Sequence, residues 1–265
     1  MPTVRGVDVA VSDAGEGLAF LWSHGFASSR AQDERSGMLD WGRLASRHRI
    51  VRWDARGHGE SDGTSEPEGY RWENLGLDLL ALADALAVEQ FVAGGVSMGA
   101  AVALHAATRA PERVVGLVLV LPPTAYETRK AQADDYLIGA ALVEREGIDR
   151  YVEHVNAQPV PAIFREVAAG YSFVPAAPRR FFPAVLRGAA ASDLPEPDAV
   201  RALDAPALIL AWDTDPGHPL ATAARLLELL PEAELHVARR LGDVASWTGF
   251  VDAFLTSFSN ATRTM

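Results

Sequence analysis

The 265-residue sequence predicts an α/β fold, a mostly parallel, doubly wound sheet with an inserted helical cap. Three observations predict it. Short apolar runs alternate with amphipathic helical stretches over the first 120 residues, the pattern breaks after Leu121, and strand and helix order returns near residue 205.

In chain order, LAFLWS (18–23), RIVRWD (49–54), QFVAGGV (90–96) and VVGLVLVL (114–121) are nearly continuous β-rich runs, as strands covered on both faces should be. Between them lie helical patterns such as NLGLDLLALADALAV (74–88) and MGAAVALHAATRA (98–110), so βαβ units and a parallel sheet follow. From Pro122 a long helical, proline-punctuated region runs to about residue 196 and reads as the cap. Order resumes with APALILAW (205–212), HPLATAARLLELL (218–230), AELHVA (233–238) and SWTGFVDAFLTSF (246–258). The expected organisation is a core of residues 1–121 and 197–265 with a cap at 122–196.

Composition narrows the function classes. Acidic residues outnumber basic ones, 35 to 24, for a net charge of −11, and no stretch concentrates cations, so nucleic acid is not an expected partner. The chain has no cysteine, which excludes disulfides, thiolate metal sites and a cysteine nucleophile and fits a reducing compartment. The N-terminus lacks an apolar signal region and no run reaches membrane-spanning length, so a soluble cytoplasmic protein is expected. His48, His105 and His154 sit in helical or cap contexts with no paired acid at metal-ligand spacing, and no metal site is expected. Oligomeric state is not legible.

The sharpest motif is Gly95-Val96-Ser97-Met98-Gly99, which fits G-x-S-x-G. Its placement between a buried strand and a helix is what the mechanism demands, because a strained turn there lifts the Ser97 hydroxyl clear of the sheet. A glycine-rich turn with an incidental serine is the bland alternative. His24-Gly25-Phe26 follows the strand LAFLWS, and the N–H groups of Phe26 and Met98 would together form an oxyanion hole. His24 itself reads as a polar anchor of its turn.

These stretches, with Asp54-Ala55-Arg56-Gly57-His58-Gly59-Glu60-Ser61 and Trp212-Asp213-Thr214-Asp215-Pro216-Gly217-His218-Pro219, resemble the α/β-hydrolase superfamily. The likeness is nearest to its small-molecule branch of 3-oxoadipate enol-lactonases and bromoperoxidase-like esterases, and it spans nearly the whole chain. The resemblance implies acyl transfer to Ser97 and then to water, without a cofactor. It also implies a triad acid at Asp215, through a G-x-x-D-x-x-x-P pattern in which Trp212 replaces the glycine while Pro219 keeps its place, with Asp213 as competitor.

One element of the resemblance is missing. The family's histidine belongs in the loop between the last strand and last helix, where this chain offers Gly242-Asp243 and no later histidine. Four readings stand. His236 in the strand AELHVA could be the base; His218 could serve from three residues beyond Asp215 at a helix start; Asp243 could serve if its pKa rose from about 3.9 towards 7; or no efficient base exists. The sequence therefore supports two functions, a serine hydrolase of a small ester, lactone or thioester with a non-standard base, and a degenerate relative that binds a small ligand or runs a non-hydrolytic reaction. The cap aromatics Tyr126, Tyr136, Tyr151, Phe164, Tyr171, Phe173, Phe181 and Phe182 are candidates for the pocket wall or the core.

Overall fold

The structure, a computed structural model, describes residues 1–165 and 172–261; Tyr171 lies outside them. Nine strands occur among the described residues: β1 (Thr3–Val4), β2 (Val7–Asp8), β3 (Val11–Ala14), β4 (Ala19–Ser23), β5 (Arg49–Trp53), β6 (Phe91–Val96), β7 (Val114–Val120), β8 (Ala207–Trp212) and β9 (Ala233–Ala238). Strands β1 and β2 form a small hairpin, and the other seven form one sheet in the order β3-β5-β4-β6-β7-β8-β9. Only β3 runs antiparallel, against β5. The apolar runs gave no hint of β3, because VSDA is a short edge strand with no buried residue.

The near-continuous apolar character of the central strands has a direct structural cause. Alternate residues point to opposite faces, and both faces are covered. Leu21, Leu117, Leu119 and Ile209 enter one buried cluster, whereas Phe20, Trp22, Val118, Val120, Leu208 and Leu210 enter another. The helices α1 (Arg30–Ser36), α2 (Trp41–Ala45), α3 (Trp72–Ala85) and α4 (Met98–Arg109) precede β7. Helices α3 and α4 cover the first face, where the small residues of α4 allow a close approach.

Among the described residues four α-helices lie between β7 and β8: α5 (Arg129–Glu146), α6 (Ile148–Asn156), α7 (Phe182–Ala190) and α8 (Pro197–Arg201). The chain ends with α9 (Leu220–Leu229), α10 (Leu241–Val244) and α11 (Trp247–Ala261), of which α11 covers the second face. Helices α5 to α7 have their own core of Ala140, Val143, Ile148, Tyr151, Phe182, Val185 and Leu186, joined from below by Tyr70 and Ala27. Arg129 ties the entry of this layer to its exit. Its buried guanidinium donates to Ser192 O (2.7 Å), to Ala189 O and to Thr124 Oγ1 (3.2 Å), and lies over the Trp72 ring at 4.1 Å. The acceptors Ala189 and Ser192 lie at the C-terminal end of α7, where a cation is favoured.

Sheet order determines where a site can form. From β4 the chain moves one way to β5 and then returns to place β6 on the other side, so the direction of winding reverses between β4 and β6. A crevice opens beyond the carboxyl ends of the strands at such a point. His24-Gly25-Phe26 follows β4 and Ser97 follows β6, which brings both into this crevice. The approach depends on Gly99: a Cβ there would collide with the Ser23 carbonyl oxygen of β4. Gly99→Ala is therefore expected to destabilise the fold by about 3 kcal/mol or more, read as a fall in the urea midpoint.

Candidate active site

Ser97 occupies the turn between β6 and α4 with φ 56° and ψ −115°, a left-handed conformation that costs a non-glycine residue on the order of 1–3 kcal/mol. Backbone bonds on both sides hold it there. Ser97 N donates to Val120 O (2.9 Å), and Ser97 O accepts from Ala100 N (2.9 Å). Gly95 completes the turn, because a side chain at that position would strike the Gly99 backbone. The serine hydroxyl is left half-buried at the end of the sheet.

The histidine that meets it is His218. Its Nε2 lies 2.8 Å from Ser97 Oγ, and its Nδ1 lies 2.8 Å from Asp215 Oδ2. Both residues belong to the loop between β8 and α9. A short local turn folds the ring back: Gly217 N donates to Asp215 Oδ1 (2.8 Å), His218 N donates to Asp215 O (3.2 Å), and Thr214 is left-handed at φ 66°. Thr124 N anchors the loop from the start of the inserted layer by donating to Gly217 O (3.3 Å). His218 precedes the first residue of α9 by two positions, with Pro219 as the N-cap, so the local turn rather than helical periodicity directs its ring.

The tautomer follows from the partners. An ionised carboxylate can only accept, so the proton of neutral His218 sits on Nδ1 and points at Asp215; Nε2 keeps its lone pair for the Ser97 hydroxyl. Burial pushes the Asp215 carboxyl up, but hydrogen bonds and charge from His218, with the Gly217 N–H and the Trp212 indole N–H, outweigh it and hold the group below its ordinary value. Trp212 Nε1 donates to Asp215 Oδ2 at 3.0 Å, the same oxygen that receives His218 Nδ1. In the sequence Trp212 registers only as the loss of a glycine. Asp213, the competing acid, closes the end of β8 by donating its N–H to Ala238 O (3.1 Å).

The loop after β4 stands beside the serine. A Cβ on Gly25 would lie 3.8 Å from Ser97 Cβ. Met98 is the first residue of α4, so its N–H has no intrahelical acceptor. Among the described residues neither that N–H nor the N–H of Phe26 has a hydrogen-bond partner. His24 shapes the loop from beneath: its Nδ1 donates to Gly25 O (2.7 Å) and its Nε2 accepts from Ala55 N (3.0 Å). Ala27 is left-handed at φ 53°, and its carbonyl accepts from Ala176 N (2.7 Å) in the segment before α7.

Aromatic side chains pack beside the loops that carry the site. Phe26 packs on Tyr136 (4.7 Å) and Phe182 (6.2 Å), and Phe164 meets Trp212 edge-on at 4.7 Å. Tyr151 and Phe173 pack within the inserted layer itself, and the Tyr126 hydroxyl donates to Pro195 O.

The structure does not bring Asp243 or His236 to this group. Asp243 lies at the start of α10, where its carboxylate accepts from Arg239 N (3.0 Å) and from Arg240 Nε (2.9 Å). The Arg240 hydrogen bond and the Arg239 N–H hold its pKa below the ordinary carboxylate value, the opposite of what a base at neutral pH requires. His236 stacks on Phe250 at 3.8 Å and pairs with Glu234. Asp243→Asn is expected to leave Ser97 reactivity within about two-fold of wild type, read by labelling with a fluorophosphonate.

His58 and His48 are also engaged elsewhere. The His58 Nδ1 donates to Arg56 O (2.9 Å), and His48 Nε2 bonds Asp252 (2.9 Å). Among the described residues no group of three or more His, Cys, Asp or Glu side chains is placed to hold a metal ion, and no helix is long and apolar enough to cross a membrane.

Comparison with known proteins agrees with this architecture. The family described as the alpha/beta hydrolase fold matches residues 19–137. A putative carbamate hydrolase RutD from Pantoea ananatis is 32% identical over 117 residues, 44% of this chain and 40% of that protein. The 3-oxoadipate enol-lactonase 1 of Acinetobacter baylyi is 38% identical over 79 residues, 30% of this chain and 29% of the relative, so the chain spans less than half the length of either. The crystal structure of the enol-lactonase from Burkholderia xenovorans LB400 superposes with a TM-score of 0.81 at 21% identity, covering 96% of this chain and 98% of that one. The chain has the α/β hydrolase fold.

Proposed function

We propose that the protein is a serine hydrolase of small esters, lactones or thioesters, with Ser97 as nucleophile, His218 as general base and Asp215 as its acid partner. One observation carries the reading: a continuous relay from Ser97 Oγ through the His218 ring to Asp215, with both links at 2.8 Å. A serine hydroxyl needs a base within hydrogen-bond reach to become a competent nucleophile, and Nε2 meets that requirement.

As Ser97 Oγ attacks the substrate carbonyl carbon, its proton passes to His218 Nε2. The imidazolium that forms is stabilised by the Asp215 carboxylate. The carbonyl oxygen becomes an oxyanion and accepts from the N–H groups of Phe26 and Met98. His218 returns the proton to the leaving oxygen or sulfur, leaving an acyl group on Ser97. A water molecule then repeats the sequence with His218 as base, releasing the acid and restoring the serine. This chemistry requires no cofactor.

The helices between residues 122 and 196 act as a cap, and the aromatic side chains Phe26, Tyr136, Phe164 and Trp212 favour an apolar acyl or leaving group. The relatives that are an enol-lactonase and a putative carbamate hydrolase support small-molecule acyl chemistry without naming the substrate. The competing reading, a degenerate ligand-binding protein, drew its support from the Gly242-Asp243 turn, and a base reaching Ser97 from another loop removes that support.

The test is hydrolysis of p-nitrophenyl acetate and of a small aliphatic lactone by purified protein. Turnover that disappears in Ser97→Ala is the expected result. Turnover equal in the two proteins, or absent from both, refutes the reading.

A further inference from the structure

We infer that Trp212 is a positioning residue of the catalytic group, and that its indole N–H sets how strongly Asp215 acts on His218. The inference rests on the proposed triad. Trp212 is the last residue of β8, buried, and its ring is fixed on two sides: it stacks on Trp247 (6.1 Å, 27° between planes) and meets Phe164 edge-on. From that fixed ring Nε1 reaches Asp215 Oδ2 at 3.0 Å.

The geometry explains why a donor is needed there. Asp215 and His218 are three residues apart in one short loop, whose backbone holds Oδ1 through Gly217 N and whose His218 ring meets Oδ2. Neither bond ties the carboxylate to an element outside the loop. Oδ2 must be presented to His218 Nδ1, and Trp212 Nε1 is the donor that fixes it from the rigid sheet rather than from the loop. A glycine at this position has no such donor to offer.

The same bond has an electrostatic consequence. An indole N–H that donates to Oδ2 withdraws negative charge from the oxygen that faces the imidazolium. Removing it leaves a less satisfied, more basic carboxylate, which stabilises protonated His218 more strongly. The groups facing Asp215 are the Trp212 indole N–H, the Gly217 N–H and the His218 imidazole, and of these only His218 titrates. Trp212→Phe keeps an aromatic ring against Trp247 and Phe164 while deleting the donor.

The test reads His218 by NMR, so it does not depend on turnover. In Trp212→Phe the His218 titration is expected to move upward, while kcat for a Ser97-dependent substrate falls about ten-fold with KM within two-fold. The Trp212 ring also meets His218 edge-on at 6.4 Å, a contact that Phe keeps, so a purely structural role for Trp212 would lower kcat or stability without moving the titration. A second measurement needs no change at Trp212: its indole N–H resonance should titrate together with His218 in wild type and move upfield in Asp215→Ala. An unchanged His218 titration in Trp212→Phe, or an indole resonance indifferent to pH and to Asp215→Ala, overturns the inference. Failure of the triad itself would be seen separately, as ester hydrolysis that persists in Ser97→Ala.

Discussion

His218→Ala is expected to lower kcat for an activated ester by on the order of 10⁴ to 10⁶, while KM changes little. The loss is large because the variant retains the strained serine and the oxyanion donors but has nothing to receive the proton. In the proposed mechanism the 2.8 Å bond from Ser97 Oγ to Nε2 is the contact that activates the hydroxyl. Removing Ser97 and His218 together should cost no more than the worse of the two single changes, because groups acting as one unit lose their whole effect when either is gone. The His218 side chain is 24% exposed, so its truncation should change the urea midpoint little, and a large kinetic loss with an unaltered midpoint separates chemistry from folding. A kcat within ten-fold of wild type would remove His218 from the mechanism.

Stability is expected to fall steeply as pH drops from about 6.5 towards 3, and His58 is a principal cause. Its imidazole is completely buried beside His24, the rings 5.0 Å apart, and among the described residues its Nε2 has no hydrogen-bond partner. Burial, reinforced by His24 and only partly opposed by the Arg56 carbonyl and Asp54, lowers its pKa from 6.5 to about 3. The unfolded chain takes up a proton near 6.5 and the folded one does not until about 3. Between those values the unfolded state binds more protons, so the stability present above 6.5 is lost as pH falls, at up to about 1.4 kcal/mol per pH unit. Below the folded value both states are protonated and this slope ends. His58→Gln retains a donor for Arg56 O but cannot titrate, so urea unfolding at pH 6, 5 and 4 should show a dependence shallower by about one proton. Parallel stability curves for the two proteins would exclude His58. His105, whose pKa burial also lowers, adds a slope of the same sign to both proteins.

Much of this molecule is legible in its sequence, and for reasons that can be stated residue by residue. Strands buried on both faces must be apolar at successive positions, which is why AFLWS and ALILAW stand out. The serine turn is legible because its geometry admits few residues: Gly95 and Gly99 sit where a Cβ would strike backbone. The edge strand β3 is not legible, since half-exposed residues at a sheet edge leave no hydrophobic signature.

For the partner of Ser97 the sequence leaves four readings open, His236, His218, Asp243 or no efficient base, and does not choose among them. Spacing shows that Asp215 and His218 are near one another. The direction of the ring depends on the left-handed Thr214, the turn at Gly217 and the anchor from Thr124, none of which periodicity encodes. The role of Trp212 is hidden for a related reason, because a large aromatic at the end of a strand reads as core, and only the fold turns its N–H towards a carboxylate.

The central claim is that His218, from the loop after β8, activates Ser97. It is tested most directly by the rate at which a fluorophosphonate labels wild-type protein, Ser97→Ala, His218→Ala and Asp243→Asn across pH 5 to 9. Fast labelling of wild type and Asp243→Asn, with a rate that falls at low pH, is expected, with none in Ser97→Ala and a loss of at least about a thousand-fold in His218→Ala. Slow labelling of wild type that is indifferent to pH and to His218→Ala, or labelling that collapses in Asp243→Asn instead, would contradict it.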